Sequence, residues 1–533
     1  MRNDINARLI GFRNSMETKK LLIQVDGVPY EIINKALKKR YMPNLKRSLK
    51  YSGYKLFPFY SELPSNTPAA QMKIMYGISG LIKGFRWYSK SEKRHYTFKD
   101  TITAKYWEEK AINKHKKMVV KDGASYVNMF SGGAKRNILI FSRMLDTNIS
   151  MRVVNNVIWK FIFLNADFIV RVTKDVIKEF IVEIYEHLKY KIKKRPQRPM
   201  NAFPYVRVGN NVFFKEIATM GAIIEMNEMA PAIYLTYTGY DEVAHQRGPE
   251  TKEAISTLRS IDRSIGKLLK MAQKKGYEVF IFSDHGQSST TPFKDIFHKE
   301  LEEEIISLAG IKESVNTTQN GSTRDIMFLC ALKKLFGLLI RLGKKVTAGI
   351  IKKVFKKSIY GLKKEKIDIA RKIIAENSGP LSHIYFNEIE KRAYLEEINE
   401  IYNDITDKIL LHKGIEFGVV KLKDGFLLKG RFGEIITNNF FDIKEEKGDI
   451  FQNIVDIEKE LLLNSIKEIA TGDDSGDLIL FGAILSKNRC VNFEIQYGGH
   501  GGIGGMQNKP FIMMKRDLDK DISISDLYSL FQS

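Results

Sequence analysis

The chain contains very little cysteine, which limits the kinds of site that it can build. Its 533 residues include two cysteines, Cys330 and Cys490, and these do not form a C-x-x-C pair. A disulfide framework and a thiolate zinc site are therefore both excluded. Because the chain has only nine histidines, a bound metal ion would need histidine nitrogens together with carboxylate or hydroxyl oxygens.

Long hydrophobic runs are also absent. No stretch of about 18 uncharged apolar residues occurs, so no membrane-spanning helix is predicted. The nearest candidate, 157–170, is interrupted by Lys160 and Asp167 and remains a candidate only for an interfacial segment. Residues 1–20 lack the apolar stretch of a secretory signal. These absences lead us to expect a cytoplasmic protein, with membrane association left open.

Acidic residues are missing from one long region of the chain. Residues 333–364 contain no Asp or Glu, and the formal net charge of the whole chain is +24. Such an excess favours a polyanionic partner, which includes nucleic acid, anionic lipid and phosphorylated substrates. Nucleic acid is the least favoured of these, because no recognisable nucleic-acid module accompanies the charge.

Within the basic region, apolar residues recur at helical spacing between residues 332 and 357, with lysines and arginines between them. This pattern predicts a basic amphipathic helix. Two interpretations stay open: a surface helix that packs on the core, and a segment that lies on an anionic membrane surface.

Three apolar segments predict buried strands at 21–25, 232–236 and 277–282, and each is followed closely by an aspartate. Helical patterns follow the first two of these segments. Strands alternating with helices predict an α/β fold, with a mostly parallel central sheet and helices on both faces. Ligands bind at the carboxyl ends of such strands. We therefore expect Asp26, Asp241 and Asp284 to lie close together.

Two insertions interrupt the predicted core. We expect core segments at 18–150, 201–315 and 367–533, the last of which includes sheet-like runs at 383–386, 417–422, 477–481 and 511–514. The insertion at 151–200 is predicted to be helical and ends in a basic run. The insertion at 316–366 contains the basic amphipathic helix.

The histidines that accompany these aspartates occur in distinctive local patterns. Asp241 and His245 are four residues apart, which places them on the same face of a helix. His285 follows Asp284 directly and precedes a glycine, and His500 lies in the glycine-rich run G-G-H-G-G-I-G-G. Glycines allow the backbone to approach a charged centre closely. Each pattern also has an ordinary explanation, such as a helix cap or a flexible turn.

Thr67 lies in P-S-N-T-P-A-A, just before a helical pattern. One interpretation is a helix N-cap followed by proline at the first helical position. The other is a reactive hydroxyl beside the unpaired N–H groups of a helix N-terminus, where phosphate binds well.

Together, these side chains are the parts that a two-metal phosphoryl transfer requires. Carboxylates and imidazoles bind the cations, and a hydroxyl serves as the nucleophile. The predicted set is Asp26, Thr67, Asp241, His245, Asp284, His285 and His500.

The order of these motifs resembles the alkaline phosphatase superfamily, specifically its type I phosphodiesterase/nucleotide pyrophosphatase branch, from about residue 21 to 514 without the two insertions. The resemblance implies one metal held by Asp241, His245 and His500, and a second held by Asp26, Thr67, Asp284 and His285. It also implies that Thr67 forms a covalent phosphothreonine, which a metal-activated water then hydrolyses. Zinc is the metal expected, although this ligand chemistry also permits manganese.

The chain departs from the family pattern at 79–84, where the H-G-I-x-x-N stretch of nucleotide pyrophosphatases is missing. Nucleotide specificity is therefore open. Lys83, Arg86 and Tyr88 are candidates for substrate contacts, although surface or packing roles explain each of them better. Gln287 and Glu242 lie beside predicted ligands and are candidates for orienting the imidazoles.

We expect a metal-dependent phosphodiesterase, because no third metal site of the kind found in phosphomonoesterases is recognisable. A phosphomonoesterase of the same superfamily and a non-catalytic peripheral membrane protein that keeps the fold are the alternatives.

Overall fold

A computed structural model describes residues 18–114, 117–144, 166–200, 203–311, 371–454, 457–518 and 521–533. The predicted basic helix at 332–357, the insertion at 316–366 that contains it, and most of the interfacial candidate at 157–170 lie outside these ranges. In the part of the chain that is described, no helix is both long enough and apolar enough to cross a membrane.

The strands, in chain order, are β1 Lys20–Val25, β2 Lys55–Pro58, β3 Arg86–Ser89, β4 Arg94–Thr97, β5 Ala124–Tyr126, β6 Arg136–Ile138, β7 Ala232–Tyr237, β8 Glu278–Phe282, β9 Ser288–Pro292, β10 Ile373–Ser378, β11 Leu381–Phe386, β12 Ile415–Leu422, β13 Gly425–Gly430, β14 Gly433–Thr437, β15 Ile443–Gly448, β16 Leu478–Gly482, β17 Ile484–Ser486, β18 Arg489–Asn492, β19 Gly498–Gly499 and β20 Phe511–Met514.

The α-helices are α1 Tyr30–Lys38, α2 Pro43–Tyr51, α3 Thr67–Tyr76, α4 Thr101–Lys114, α5 Ala166–Ile192, α6 Phe203–Val208, α7 Lys215–Asn227, α8 Gly239–Arg247, α9 Lys252–Lys275, α10 Phe293–Phe297, α11 Leu301–Leu308, α12 Leu395–Tyr402, α13 Ile405–Leu410, α14 Lys459–Ala470 and α15 Asp526–Gln532. A π-helical turn, Gly209–Phe214, joins α6 to α7.

The central sheet has seven strands in the order β2-β20-β8-β1-β7-β5-β6. The strands from β8 to β6 pair in parallel, while β20 and β2 add an antiparallel edge. Strand β1 lies in the middle and is buried on both faces: Leu21 and Ile23 belong to one hydrophobic cluster, and Leu22 belongs to another. Helices cover both faces, because a parallel sheet must bury both of them. The predicted α/β fold with a mostly parallel sheet is confirmed.

A second seven-stranded sheet was not anticipated from the sequence. Its order is β10-β11-β16-β12-β13-β14-β15, and every pairing in it is antiparallel. Three of the four sheet-like runs predicted in the C-terminal part of the chain form strands here, and only 511–514 joins the central sheet. The hairpin turn between β10 and β11 packs against the backbone next to His500.

Helix α5, in the insertion predicted at 151–200, is joined to α8 by buried ion pairs. Arg247 of α8 donates two hydrogen bonds to the Glu183 carboxylate, at 2.6 and 3.0 Å, and Arg207 of α6 donates a third at 2.9 Å. Neither Arg247 nor Glu183 exposes its side chain to solvent. Paired bonds between guanidinium and carboxylate fix orientation as well as distance. The helix that carries Asp241 and His245 is therefore held by the insertion.

Replacing Glu183 with alanine should lower the free energy of unfolding by about 3–5 kcal/mol, because two buried arginines lose their shared partner. Urea denaturation followed by circular dichroism would measure the change. Asp407→Asn, which removes the exposed Asp407–Lys429 pair, is the matched control and should cost at most about 1 kcal/mol. Equal effects of the two substitutions would contradict a central role for Glu183.

Candidate active site

The seven residues predicted from the sequence come together at the carboxyl edge of the central sheet. Six of them form two groups, in each of which the potential ligand atoms lie within 4.8 Å of one another: Asp241, His245 and His500, and Asp26, Asp284 and His285. The seventh, Thr67, lies beside the second group.

The first group combines a helix with a glycine-rich loop. Asp241 and His245 lie one turn apart in α8, and His245 Nε2 is 3.3 Å from Asp241 Oδ2. His500 follows β19 directly, and its Nε2 lies 3.2 Å from Nε2 of His245. The spacing of four residues in D-E-V-A-H therefore does place both side chains on the same face of a helix.

The second group lies at the ends of β1 and β8. Asp26 and Asp284 each have a carboxylate oxygen 3.5 Å from His285 Nε2, and the three side chains are fully buried. Thr67 Oγ1 lies 3.3 Å from Asp26 Oδ1 and 3.2 Å from His285 Nε2. The His285 ring stacks on that of His500, with centroids 3.8 Å apart, and so connects the two groups.

All three histidines present the same nitrogen to the centre of the site. Their Nδ1 atoms lie 2.8–2.9 Å from the backbone oxygens of Gly498, Gly286 and Ser65. A carbonyl oxygen can only accept, so each Nδ1 carries a proton, and in a neutral imidazole Nε2 then presents a lone pair. Burial, reinforced by the neighbouring His285, holds the pKa of His500 well below its usual value, which keeps this imidazole neutral.

This arrangement suits divalent cations. Three carboxylates are buried within a few ångströms of neutral imidazoles, and buried negative charge is costly unless positive charge accompanies it. Oxygen and imidazole donors, with imidazoles oriented by carbonyls, are the usual environment of zinc and related ions in proteins. The donor set present in the chain thus fits two metal sites.

The cap of helix α3 resolves the two interpretations of Thr67. The N-cap is Asn66, whose Oδ1 accepts a hydrogen bond of 3.0 Å from the backbone N–H of Ala69. Thr67 is the first helical residue, and its hydroxyl points to Asp26 and His285. The capping interpretation is wrong, because the adjacent asparagine takes that role.

Asn66 itself was not among the residues chosen from the sequence. Its side chain is almost completely buried, and its Nδ2 has no hydrogen-bond partner among the described residues. Because Oδ1 must face the Ala69 N–H, the amide cannot be turned around to satisfy Nδ2. A buried donor therefore lies immediately before Thr67 without an acceptor.

Two sets of buried polar contacts fix the position of helix α3. Gln71 donates to Gln24 and Asn128, both at 3.1 Å, and accepts from the backbone N–H of Met129 at 2.8 Å. Two residues further along, Lys73 pairs with Glu62 at 2.5 Å and Glu468 at 2.6 Å. Burial alone would lower the pKa of Lys73, but the two carboxylates outweigh it and raise that pKa. Thr67 is thereby held at a defined place relative to Asp26.

Glycines allow the close approaches that bring the two groups together. Gly27 has φ +70°, and a Cβ atom there would lie 2.3 Å from Asp241 Oδ1. In the His500 loop, a Cβ on Gly498 would lie 2.4 Å from the carbonyl oxygen of Ala244. Side chains at these positions would force the two groups of candidate ligands apart.

Gln287 supports the first group in a way that differs from the prediction. Its Nε2 donates to the backbone oxygen of Asp241 at 3.1 Å and also to the Asp241 carboxylate. It therefore orients a carboxylate rather than an imidazole. Glu242, the other candidate for this role, is buried in α8.

The sequence profile of the family described as Type I phosphodiesterase / nucleotide pyrophosphatase matches residues 20–432. The chain belongs to this family. The match begins at β1 and includes the Asp26, Thr67, Asp241, His245, Asp284 and His285 positions, while His500 lies beyond it. The resemblance inferred from the motifs is confirmed, and the family is one of phosphate-ester hydrolases.

Other relatives of this type I phosphodiesterase family member are distant. A 2,3-bisphosphoglycerate-independent phosphoglycerate mutase of Wolinella succinogenes is 43% identical over 54 residues, which span 10% of this chain and 11% of that protein. Phosphonoacetate hydrolase of Sinorhizobium meliloti, solved with phosphonoacetate, is similar in structure with a TM-score of 0.49, 10% identity, and coverage of 97% and 95% of the two chains. An inactive murine ectonucleotide pyrophosphatase/phosphodiesterase 5, solved with AMP, has a TM-score of 0.44, 11% identity, and coverage of 96% of this chain and 94% of that chain.

The three residues that were candidates for contacting the substrate are each bound to other parts of the protein. Lys83 Nζ donates to the backbone oxygens of residues 468 and 471, and burial lowers the pKa of Lys83 to about 8. Arg86 donates to the backbone oxygen of Asn377 at 3.0 Å and to Glu494 at 2.5 Å. Tyr88 packs edge-on against Tyr385. These contacts favour the packing interpretation that the sequence left open.

We expect the protein to bind divalent metal and to lose stability when it is removed. Chelation should lower the Tm, because an ion present at 100 times its Kd contributes about 2.7 kcal/mol to the folded state. Substituting His285 with alanine should reduce the metal content measured by plasma mass spectrometry. His412→Asn is the control, because His412 packs against Phe293 and Phe297. An unchanged metal content in the His285 variant would contradict this assignment.

Proposed function

We propose that this family member is a metal-dependent phosphodiesterase that uses Thr67 as its nucleophile. The observation that carries the proposal is the position of the Thr67 hydroxyl. Asn66 caps the helix in its place, and the hydroxyl lies 3.3 Å from Asp26 and 3.2 Å from His285. A hydroxyl next to a carboxylate and an imidazole is the arrangement that activates a nucleophile. Membership of a phosphodiesterase family supports the same reaction class.

Two metal ions are part of the proposal. Asp241, His245 and His500 would hold one, and Asp26, Asp284 and His285, together with Thr67, would hold the other. Zinc suits these nitrogen and oxygen donors, and manganese is compatible with them. When bound, the ions would supply positive charge that lowers the pKa of the nucleophile and neutralises the transferring phosphoryl group.

Asp26 and Thr67 have different roles in the proposed reaction. Asp26 accepts the hydrogen bond of the Thr67 hydroxyl and so orients its oxygen toward the substrate. The Thr67 oxygen forms a bond to phosphorus while the bond from phosphorus to one alcohol breaks, and that alcohol leaves with a proton in place of the one lost by the Thr67 hydroxyl. Thr67 is then esterified to a phosphoryl group that still carries the second alcohol. Water hydrolyses that ester in a second step and regenerates Thr67. Two successive displacements give overall retention of configuration at phosphorus.

Asn66 has a place in this scheme. Its buried Nδ2 lacks an acceptor among the described residues and precedes the nucleophile. A buried donor left unpaired costs about 1–3 kcal/mol. A non-bridging oxygen of the phosphoryl group on its way to Thr67 would satisfy this donor, and the hydrogen bond would strengthen as negative charge develops on that oxygen.

Thr67→Ala should abolish hydrolysis of bis-p-nitrophenyl phosphate, with a loss on the order of 10⁴-fold or more in kcat, while metal content stays near the wild-type value. Thr67→Ser, which keeps a hydroxyl, is the matched control and should retain measurable turnover. Assaying p-nitrophenyl phosphate alongside the diester distinguishes a diesterase from a monoesterase. Turnover by Thr67→Ala close to that of the wild type would contradict the proposal.

Asn66→Ser should lower kcat about 100-fold, because serine keeps the cap but removes the amide donor. The Tm should change little. Thr251→Ala is the control for capping itself, since Thr251 caps α9; it should cost about 1 kcal/mol of stability and leave kcat unchanged. A serine variant with wild-type kcat would exclude a phosphate contact by Asn66.

A further inference from the structure

Helix α5 has two faces of opposite character. On its inner face, Glu179, Glu183 and Glu186 pair with Arg207, and Glu183 also pairs with Arg247. The acidic residues of this part of the helix are thus directed into the protein and neutralised there.

The outer face carries a stripe of large apolar side chains. Its members are at least half exposed, from 51% at Leu188 to 80% at Ile192, and they are Ile177, Ile181, Tyr185, Leu188 and Ile192. Spacings of four, four, three and four residues align them along one side of the helix. Single exposed apolar residues are ordinary, but a contiguous stripe of this kind marks an interaction surface.

The exposed charges around this stripe all have the same sign. Between residues 172 and 195, the charged residues on the surface are Lys174, Lys178, Lys191, Lys193, Lys194 and Arg195. Asp175, the one acidic residue of this range outside the Arg207 network, is only partly exposed, as is Glu179, which is paired with Arg207. The outer face is therefore apolar in its middle and cationic at both ends.

We propose that the outer face of α5 docks on an anionic lipid surface. Apolar side chains would enter the boundary between headgroups and acyl chains, while lysines and arginines would contact the headgroup phosphates. A second copy of the chain would bring like charges together, since each copy carries a net charge of +24. The strongly basic stretch 333–364 would be repelled for the same reason. Nucleic acid would use the cations but leave the apolar stripe without a role.

Docking at α5 would also orient the active site, because the inner face of the same helix holds α8 through Glu183 and Arg247. Asp241 and His245 lie in α8. The site would thus be held at a fixed distance and orientation relative to the membrane. The docking inference does not depend on catalysis.

Sedimentation of the full chain with vesicles tests this inference. Wild type should bind vesicles of phosphatidylcholine with about 30% phosphatidylglycerol, bind pure phosphatidylcholine weakly, and lose binding as salt rises. The double variant Ile181→Ser with Tyr185→Ser should need about tenfold more anionic lipid for half-maximal binding. Leu411→Ser with Leu485→Ser is the matched control, because these two are also exposed but lie elsewhere; it should bind like wild type.

Several outcomes would overturn the inference. In one, the wild-type protein does not bind anionic vesicles. In another, it binds them, but the Ile181 and Tyr185 substitutions leave the binding unchanged. A fall in Tm of more than about 5 °C in that double variant would show that another part of this chain covers the stripe. Conversion of a dimer to a monomer, measured by light scattering, would assign the stripe to a second copy. Single-stranded RNA could also displace the protein from vesicles. If the apolar substitutions do not change the affinity for that RNA, the surface would be assigned to nucleic acid.

Discussion

The central constraint on this protein is the burial of three carboxylates at one edge of a parallel sheet. Asp26, Asp241 and Asp284 are each at most 1% exposed, and together they concentrate negative charge in a region from which water is largely removed. Such a cluster is stable only if cations or hydrogen-bond donors accompany it. Several neighbours of the carboxylates meet this requirement. They are the three histidines, whose Nε2 atoms face the centre of the site, the glutamine that donates to Asp241, and the glycine next to Asp26. The surrounding residues therefore keep together a group of carboxylates that is suited to binding cations.

Helix α3 meets a second requirement, which is to hold a hydroxyl at that edge without using it for structure. All ten of its residues are buried, and a helix so enclosed would normally be apolar throughout. Instead it carries Gln71 into a polar network on the sheet and Lys73 into an ion cluster. These polar contacts determine the rotation of the helix about its axis, which apolar packing alone specifies less sharply. Thr67 therefore faces Asp26 because residues one and two turns later are held elsewhere.

Much of the fold near the site could be predicted from the sequence, because the signals there are local. Apolar runs followed closely by an aspartate predicted β1, β7 and β8, and a spacing of four residues predicted the shared face of Asp241 and His245. Four of the six pairings in the second sheet join strands that are neighbours in the chain. The sheet as a whole could not be foreseen, because it is united by β16, whose pairing with β11 joins residues nearly a hundred positions apart. The roles of Asn66 and Thr67 were indistinguishable for a different reason: both residue types cap helices well, and the difference is a shift of one position. The pairing of Glu183 with Arg247 joins residues that no local pattern relates.

The hydrogen bond from His500 to the carbonyl of Ser65 has a consequence for how the chain acquires its site during synthesis. It connects positions 435 residues apart, and Ser65 is only two residues from Thr67. During synthesis, the parallel strands of the central sheet, the three carboxylates and helix α3 would therefore leave the ribosome well before His500. Until then the growing polypeptide holds an incomplete, negatively charged pocket, which His500 completes only after the strands of the second sheet have emerged.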